Sequence, residues 1–172
     1  TVHPKRYGVV TVEGVPFALP DPSTTPTGGN VIVLKNSVNE TTYAGTMPQR
    51  VELPVGYRIG NLHFLGGVAG WGGGADSHKP AMKVSIEHAD GQKQVEELYT
   101  GDVFIDYPSR EDVPGSKRAD GVVMKHHVRY FTLPVANRAP VTKIVLESYL
   151  NGVSATTLAI TTDNEPPQAR KK

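Results

Sequence analysis

The chain has 172 residues, the length of one domain with a core of its own. Its 18 basic and 17 acidic side chains leave a formal charge of +1 with no long basic stripe, which argues against a nucleic-acid partner. There are no cysteines, so disulfides, thiolate metal sites and cysteine nucleophiles are excluded together, and no apolar run approaches the ~18 residues of a membrane-spanning helix.

Eighteen glycines and 14 prolines punctuate short runs rich in Val, Ile, Thr, Tyr and Phe, a pattern of strands and turns. In chain order, strands are expected near Tyr7 to Val12, Val15 to Leu19, Val31 to Lys35, Gln49 to Leu53, Ile59 to Val68, Met82 to His88, Gln94 to Tyr99, His126 to Leu133, Val141 to Tyr149 and Thr156 to Thr161. Asp90-Gly91 divides two strand-like halves and predicts a hairpin, since both central positions of a type I′ turn need φ > 0. Alternation puts Val84, Ile86 and His88 on one face of the first half and Lys83, Ser85 and Glu87 on the other. The stretch from Val141 alternates less cleanly, as expected of a strand covered on both sides or crossing a sandwich, and Asn151-Gly152 turns into the last strand. No stretch keeps a helical period. The expectation is an all-β domain of two antiparallel sheets, a β-sandwich of jelly-roll type. It spans residues 7–163, after an N-terminal extension 1–6 and before a linker or tail 164–172. No secretory signal is visible in the first residues, and the start at Thr1 is what a processed or excised part of a longer polypeptide would show.

Six of the nine residues from Gly66 to Gly74 are glycine, and among them stands Trp71, the single tryptophan. Such a stretch suits positive φ and close backbone approach rather than a strand interior. Trp71 is then either a lid folded on the core or a flat platform on which a sugar ring stacks. The loop is no nucleotide cradle, because it lacks the Gly-Lys-Ser/Thr ending and precedes no helix.

From Gly101 to Gly121 the chain turns irregular and polar, the length of loop that is usually functional or mobile. Within it Asp102, Asp106, Tyr107, Arg110, Glu111 and Asp112 gather. Carboxylates there can accept sugar hydroxyls while an arginine fork donates, or can offer oxygen ligands to calcium, though not at EF-hand spacing. The structural alternative is an ion pair of Arg110 with Asp106 or Asp112 that pins the loop. His126 and His127 point to opposite faces if on a strand, which argues against a shared metal ion. There is no Gly-x-Ser-x-Gly elbow; a glycosidase would need two of Asp106, Glu111 and Asp112, and a lyase would draw on Tyr107, Arg110, His126 and Arg129.

Gly14-Val-Pro-Phe17, Asp21-Pro22, Val31-Ile-Val-Leu34, Leu62-His-Phe-Leu-Gly-Gly67 and Gly70-Trp-Gly72 come first among a set of landmarks. His88-Ala-Asp-Gly91, Gly101-Asp-Val-Phe-Ile-Asp-Tyr107, Arg110, Asp112-Val-Pro-Gly-Ser116 and Val128-Arg-Tyr130 complete it. Together they resemble the galactose-binding-like β-sandwich modules of large bacterial multidomain proteins. There such modules accompany propeller-type dehydrogenase, c-type cytochrome, and trehalose-utilisation-like or glycosidase domains. The resemblance covers roughly Val9 to Asp163. It implies a non-catalytic accessory module, periplasmic or extracellular, that binds carbohydrate through loops at one end of the sandwich, with a structural calcium of the kind sugar-binding members of the wider fold often hold through backbone carbonyls and a carboxylate. Trp71 would stack, and Tyr107, Arg110, Asp106 and Asp112 would make polar contacts. The alternatives are a docking module that positions neighbouring redox or hydrolase domains, and a jelly-roll hydrolase or lyase.

Overall fold

The computed structural model describes residues 3–37, 43–70 and 78–164, and among them it contains no α-helix. Its strands are β1 (Gly8–Val12), β2 (Val15–Leu19), β3 (Ile32–Val33), β4 (Arg50–Tyr57), β5 (Ile59–Gly70), β6 (Pro80–His88), β7 (Lys93–Tyr99), β8 (Lys117–Ala119), β9 (Val128–Pro134), β10 (Val141–Glu147) and β11 (Val153–Asn164). Short 3-10 turns lie at Pro22–Thr24 and Tyr43–Thr46. All strand pairs are antiparallel and form three sheets, ordered β1-β2, β4-β10-β6-β7 and β3-β11-β5-β9-β8.

The expected hairpin joins β6 to β7, but its turn is not type I′: Gly91 is at φ +84 while Asp90 is not at positive φ, the Gly91 amide donates to the His88 carbonyl at 3.0 Å and the Asp90 carboxylate accepts from the Gln92 amide at 3.0 Å. Asn151-Gly152 carries the chain from β10 in the four-stranded sheet to β11 in the five-stranded one, so this turn crosses the sandwich. The short β8 was not expected; it lies inside the polar loop and pairs with the start of β9. β5 also runs further into the glycine-rich stretch than alternation suggested. Gly66 and Gly67 sit within the strand at ordinary φ, and their missing side chains serve close approach: a Cβ on Gly66 would lie 2.5 Å from the Thr156 carbonyl of β11.

The main core fills the space between the four- and five-stranded sheets. Leu62, Phe64 and Val68 of β5, Phe131 and Leu133 of β9, and Val153 and Ala155 of β11 face Met82, Val84 and Ile86 of β6 and Ile144 and Leu146 of β10. Phe64 stacks on Phe131 with ring centroids 4.9 Å apart, and Phe104 from the long loop meets Phe131 edge-on at 5.3 Å.

β5 is buried on both faces, as is β11 between Val153 and Leu158. Across the outer face of the five-stranded sheet, the β1-β2 hairpin and residues 119–128 form a covering layer. There Val10, Phe17, Leu19, Tyr107, Ala119, Val122, Val123 and Val128 pack with Leu65 and Leu158. The N-terminal residues join this layer: Pro4 bridges Val123, the Lys5 amide donates to the Val122 carbonyl at 2.9 Å, and the Met124 amide donates to the His3 carbonyl at 3.0 Å.

Candidate functional site

The long loop straddles the end of the five-stranded sheet. Phe104 enters the main core; the Tyr107 amide then donates to the Val68 carbonyl at 3.2 Å, and Tyr107 swings over to the outer face. There its ring lies against Gly67, where a Cβ would come within 2.5 Å of Cε1. The glycine is therefore a steric requirement of the tyrosine. Tyr107 is 5% exposed, and its hydroxyl is buried without a hydrogen bond of good geometry, although the Thr156 side chain lies beside it. Burial pushes the phenol well above its ordinary pKa, so it stays protonated and remains a donor.

Around this point the sheet and the loop enclose a cavity of about 320 Å³, lined by Val31, Val33, Tyr43, Ala44, Ala69, Asp106, Tyr107, Pro108, His126, Ser154 and Thr156. The outer-face alternation of β5 and β11 accounts for Ala69, Ser154 and Thr156, which pair across the strands as Ser154 with Ala69 and Thr156 with Gly67. The loop supplies Asp106 and Tyr107, and the 3-10 turn supplies Tyr43, which is 72% exposed and forms the rim. Asp106 is half-buried. Loss of water raises its carboxyl above the usual range, opposed by the Tyr107 amide and the nearby His126. The His126 and Tyr107 rings stand 6.2 Å apart. Such a site, mainly apolar with a few convergent polar groups, is the usual form of a small-molecule pocket.

The five residues singled out in the sequence do not form one cluster. Asp106 and Tyr107 line the cavity; Arg110 and Asp112 do not and are exposed. Trp71 lies outside the described residues. The expected loop-pinning pair of Arg110 with Asp106 or Asp112 does not form. The arginine that pins the loop is Arg129 of β9, 1% exposed, whose Nε donates to Ser116 Oγ at 2.9 Å, Nη1 to the Glu111 carbonyl at 3.2 Å and Nη2 to the Ser116 carbonyl at 2.9 Å. Asp112 stands 3.9 Å from its Nη1 and keeps its own side chain 87% exposed. The Arg110 carbonyl accepts from Arg118 at 2.9 Å. Sequence spacing pointed to the nearest arginine in the chain, whereas the fold brings in one from the strand that the loop covers.

Tyr43, Ser154 and Thr156 were not foreseen. Tyr43 is an aromatic that follows a polar run, Asn39-Glu-Thr-Thr42, in an irregular stretch, a signal the sequence carries. Ser154 and Thr156 became visible only once β11 paired with β5. Among the described residues no group of three or more His, Asp or Glu gathers to hold a metal ion. No family model, curated protein or solved structure compared with the chain matches it.

Proposed function

We propose that this protein is a non-catalytic accessory module of the galactose-binding-like kind that binds carbohydrate in the cavity on the outer face of the five-stranded sheet. The observation that carries the reading is that cavity: about 320 Å³, apolar walls, an exposed tyrosine at its rim and hydroxyl, imidazole and carboxyl groups within. A pyranose presents C–H faces to aromatic rings and hydroxyls to polar groups, and the lining offers both. In the sequence Trp71 follows Ala69 of the lining by two residues, which keeps it a candidate second platform.

The strand order supports the jelly-roll reading. Taken in chain order, β3, β4, β5, β6, β7, β9, β10 and β11 pair first with eighth, second with seventh, third with sixth and fourth with fifth. That is the pairing obtained when one long hairpin is rolled into two sheets. The non-catalytic reading draws support from the fate of two lyase candidates, since Arg129 is spent on backbone carbonyls and Tyr107 is sealed against Gly67. A periplasmic or extracellular setting goes with the proposed family.

Affinity from one aromatic rim and a few hydrogen bonds falls at roughly 10⁻³ to 10⁻⁵ M, about 4 to 7 kcal/mol. Titration calorimetry against a glycan panel tests this: the wild type binds, and Tyr43→Ala and Trp71→Ala each weaken binding. A wild type that binds no glycan overturns the reading. Val9 and Met124, 67% and 63% exposed on the covering layer, favour a second reading, a surface that docks neighbouring domains. It expects the long loop to resist limited proteolysis in the parent polypeptide and to be cut in the isolated module.

A further inference from the structure

We propose that the sugar taken by the cavity carries a free amine, with its ammonium on the Asp106 carboxylate and beside the Tyr43 ring. This rests on the carbohydrate reading above and narrows it to a substrate class.

Among the described residues Asp106 is the one acidic residue of the lining, and no lysine or arginine of theirs lines the cavity. Among the described residues no lysine or arginine forms an ion pair with Asp106, and the basic side chain nearest it in the same wall is the imidazole of His126. The cavity that Asp106 lines is otherwise walled largely by Val31, Val33, Ala44, Ala69 and Pro108, which bring no fixed charge. A half-buried carboxylate in apolar surroundings is stabilised most by a cation that fits the space and brings its own donors. An ammonium does so, and its three N–H groups can be shared between Asp106 and neighbouring hydroxyls. The aromatic rim adds a second attraction of the same sign, since a cation over a tyrosine face is drawn to the ring quadrupole. Carboxylate and aromatic together form a recognition pair for an amine, whereas a neutral sugar would use Asp106 as an acceptor only. Ser154 and Thr156 remain for the ring hydroxyls. The same carboxylate repels uronic acids.

The test compares glucosamine and galactosamine with their N-acetylated, neutral and uronic-acid counterparts near neutral pH, by calorimetry and by chemical-shift titration. The amine forms should bind about tenfold more tightly than the N-acetylated and neutral forms. In Asp106→Asn the amine, N-acetylated and neutral forms should bind alike, the advantage lost; Arg110→Ala, outside the cavity, should leave it intact. If neutral or N-acetylated sugars bind the wild type as tightly as the amines, or if Asp106→Asn keeps the preference, the amine inference fails and the carbohydrate reading stands. If no sugar binds, both fail. The wild-type comparison of amine with N-acetyl decides by itself should Asp106→Asn not fold.

Discussion

The two sheets of the sandwich share one core but treat their outer faces in opposite ways. On the four-stranded sheet the outer face carries a lattice of ion pairs: Lys83 to Glu147 at 3.0 Å, Arg50 to Glu147 at 3.5 Å, Lys143 to Glu52 at 3.1 Å and to Glu87 at 3.4 Å, and Lys93 to Glu87 at 3.6 Å. Beneath the charged heads Ser85 and Val145 are fully buried, which the aliphatic stems of Lys and Arg make possible. On the five-stranded sheet the outer face carries Leu65, Gly67 and Leu158 and is covered by a layer of hairpin and loop. One face is closed by side chains that reach across its own strands. The other needs chain from elsewhere, and that borrowed chain leaves a cavity where it does not meet the sheet. The lesson is that a cavity of this kind arises at the margin of an imperfectly covered apolar face, not where the surface charges are densest.

The largest expected effect that sharpens this contrast is at Gly67. Gly67→Ala drives a methyl into the Tyr107 ring, so the loop must lift; overpacking of this kind costs about 1–3 kcal/mol, read as a lowered midpoint in urea, together with loss of any ligand affinity. Unchanged stability and binding would show that the loop does not depend on that contact. On the other face Lys143→Met removes the centre of the lattice, and its melting temperature should stay within error of the wild type because exposed pairs contribute little. A clear loss there would break the contrast by making the lattice structural.

A small, pH-dependent effect concerns Asp106. Its carboxyl is raised in the folded protein, so the native state holds its proton more firmly than the unfolded chain. Its contribution is therefore most favourable below the ordinary carboxylate range and is lost as pH rises through the raised value. Asp106→Asn should give a slightly higher melting temperature at neutral pH and no gain in acid. The reverse dependence would mean that a cation already compensates the carboxylate.

The strand positions were largely legible because alternation and turn residues act locally: Val15 to Leu19 appears with the expected bounds, and the chain turns at Asp90-Gly91, although Gly91 alone takes positive φ. Less visible was β8, three residues in a polar stretch that become a strand only because β9 offers a free edge. Half the cavity was also hidden. Asp106 and Tyr107 stood out as a polar aromatic cluster, but Tyr107 turned inward because Gly67 leaves room for a ring. Ser154 and Thr156 reached the site through pairing with β5, about ninety residues away in the chain, which no local pattern records.

By itself the sequence determined the all-β class, the turn positions and the freedom from cysteine chemistry, since these follow from residue type and near-neighbour periodicity. Only the tertiary structure decided that the loop is held by Arg129 rather than Arg110, that Tyr107 is a buried donor, and that one outer face is armoured by ions while the other is covered and hollowed. Those outcomes depend on which distant backbone lies within a few ångströms, and burial, hydrogen-bond partners and pKa shifts all follow from that proximity.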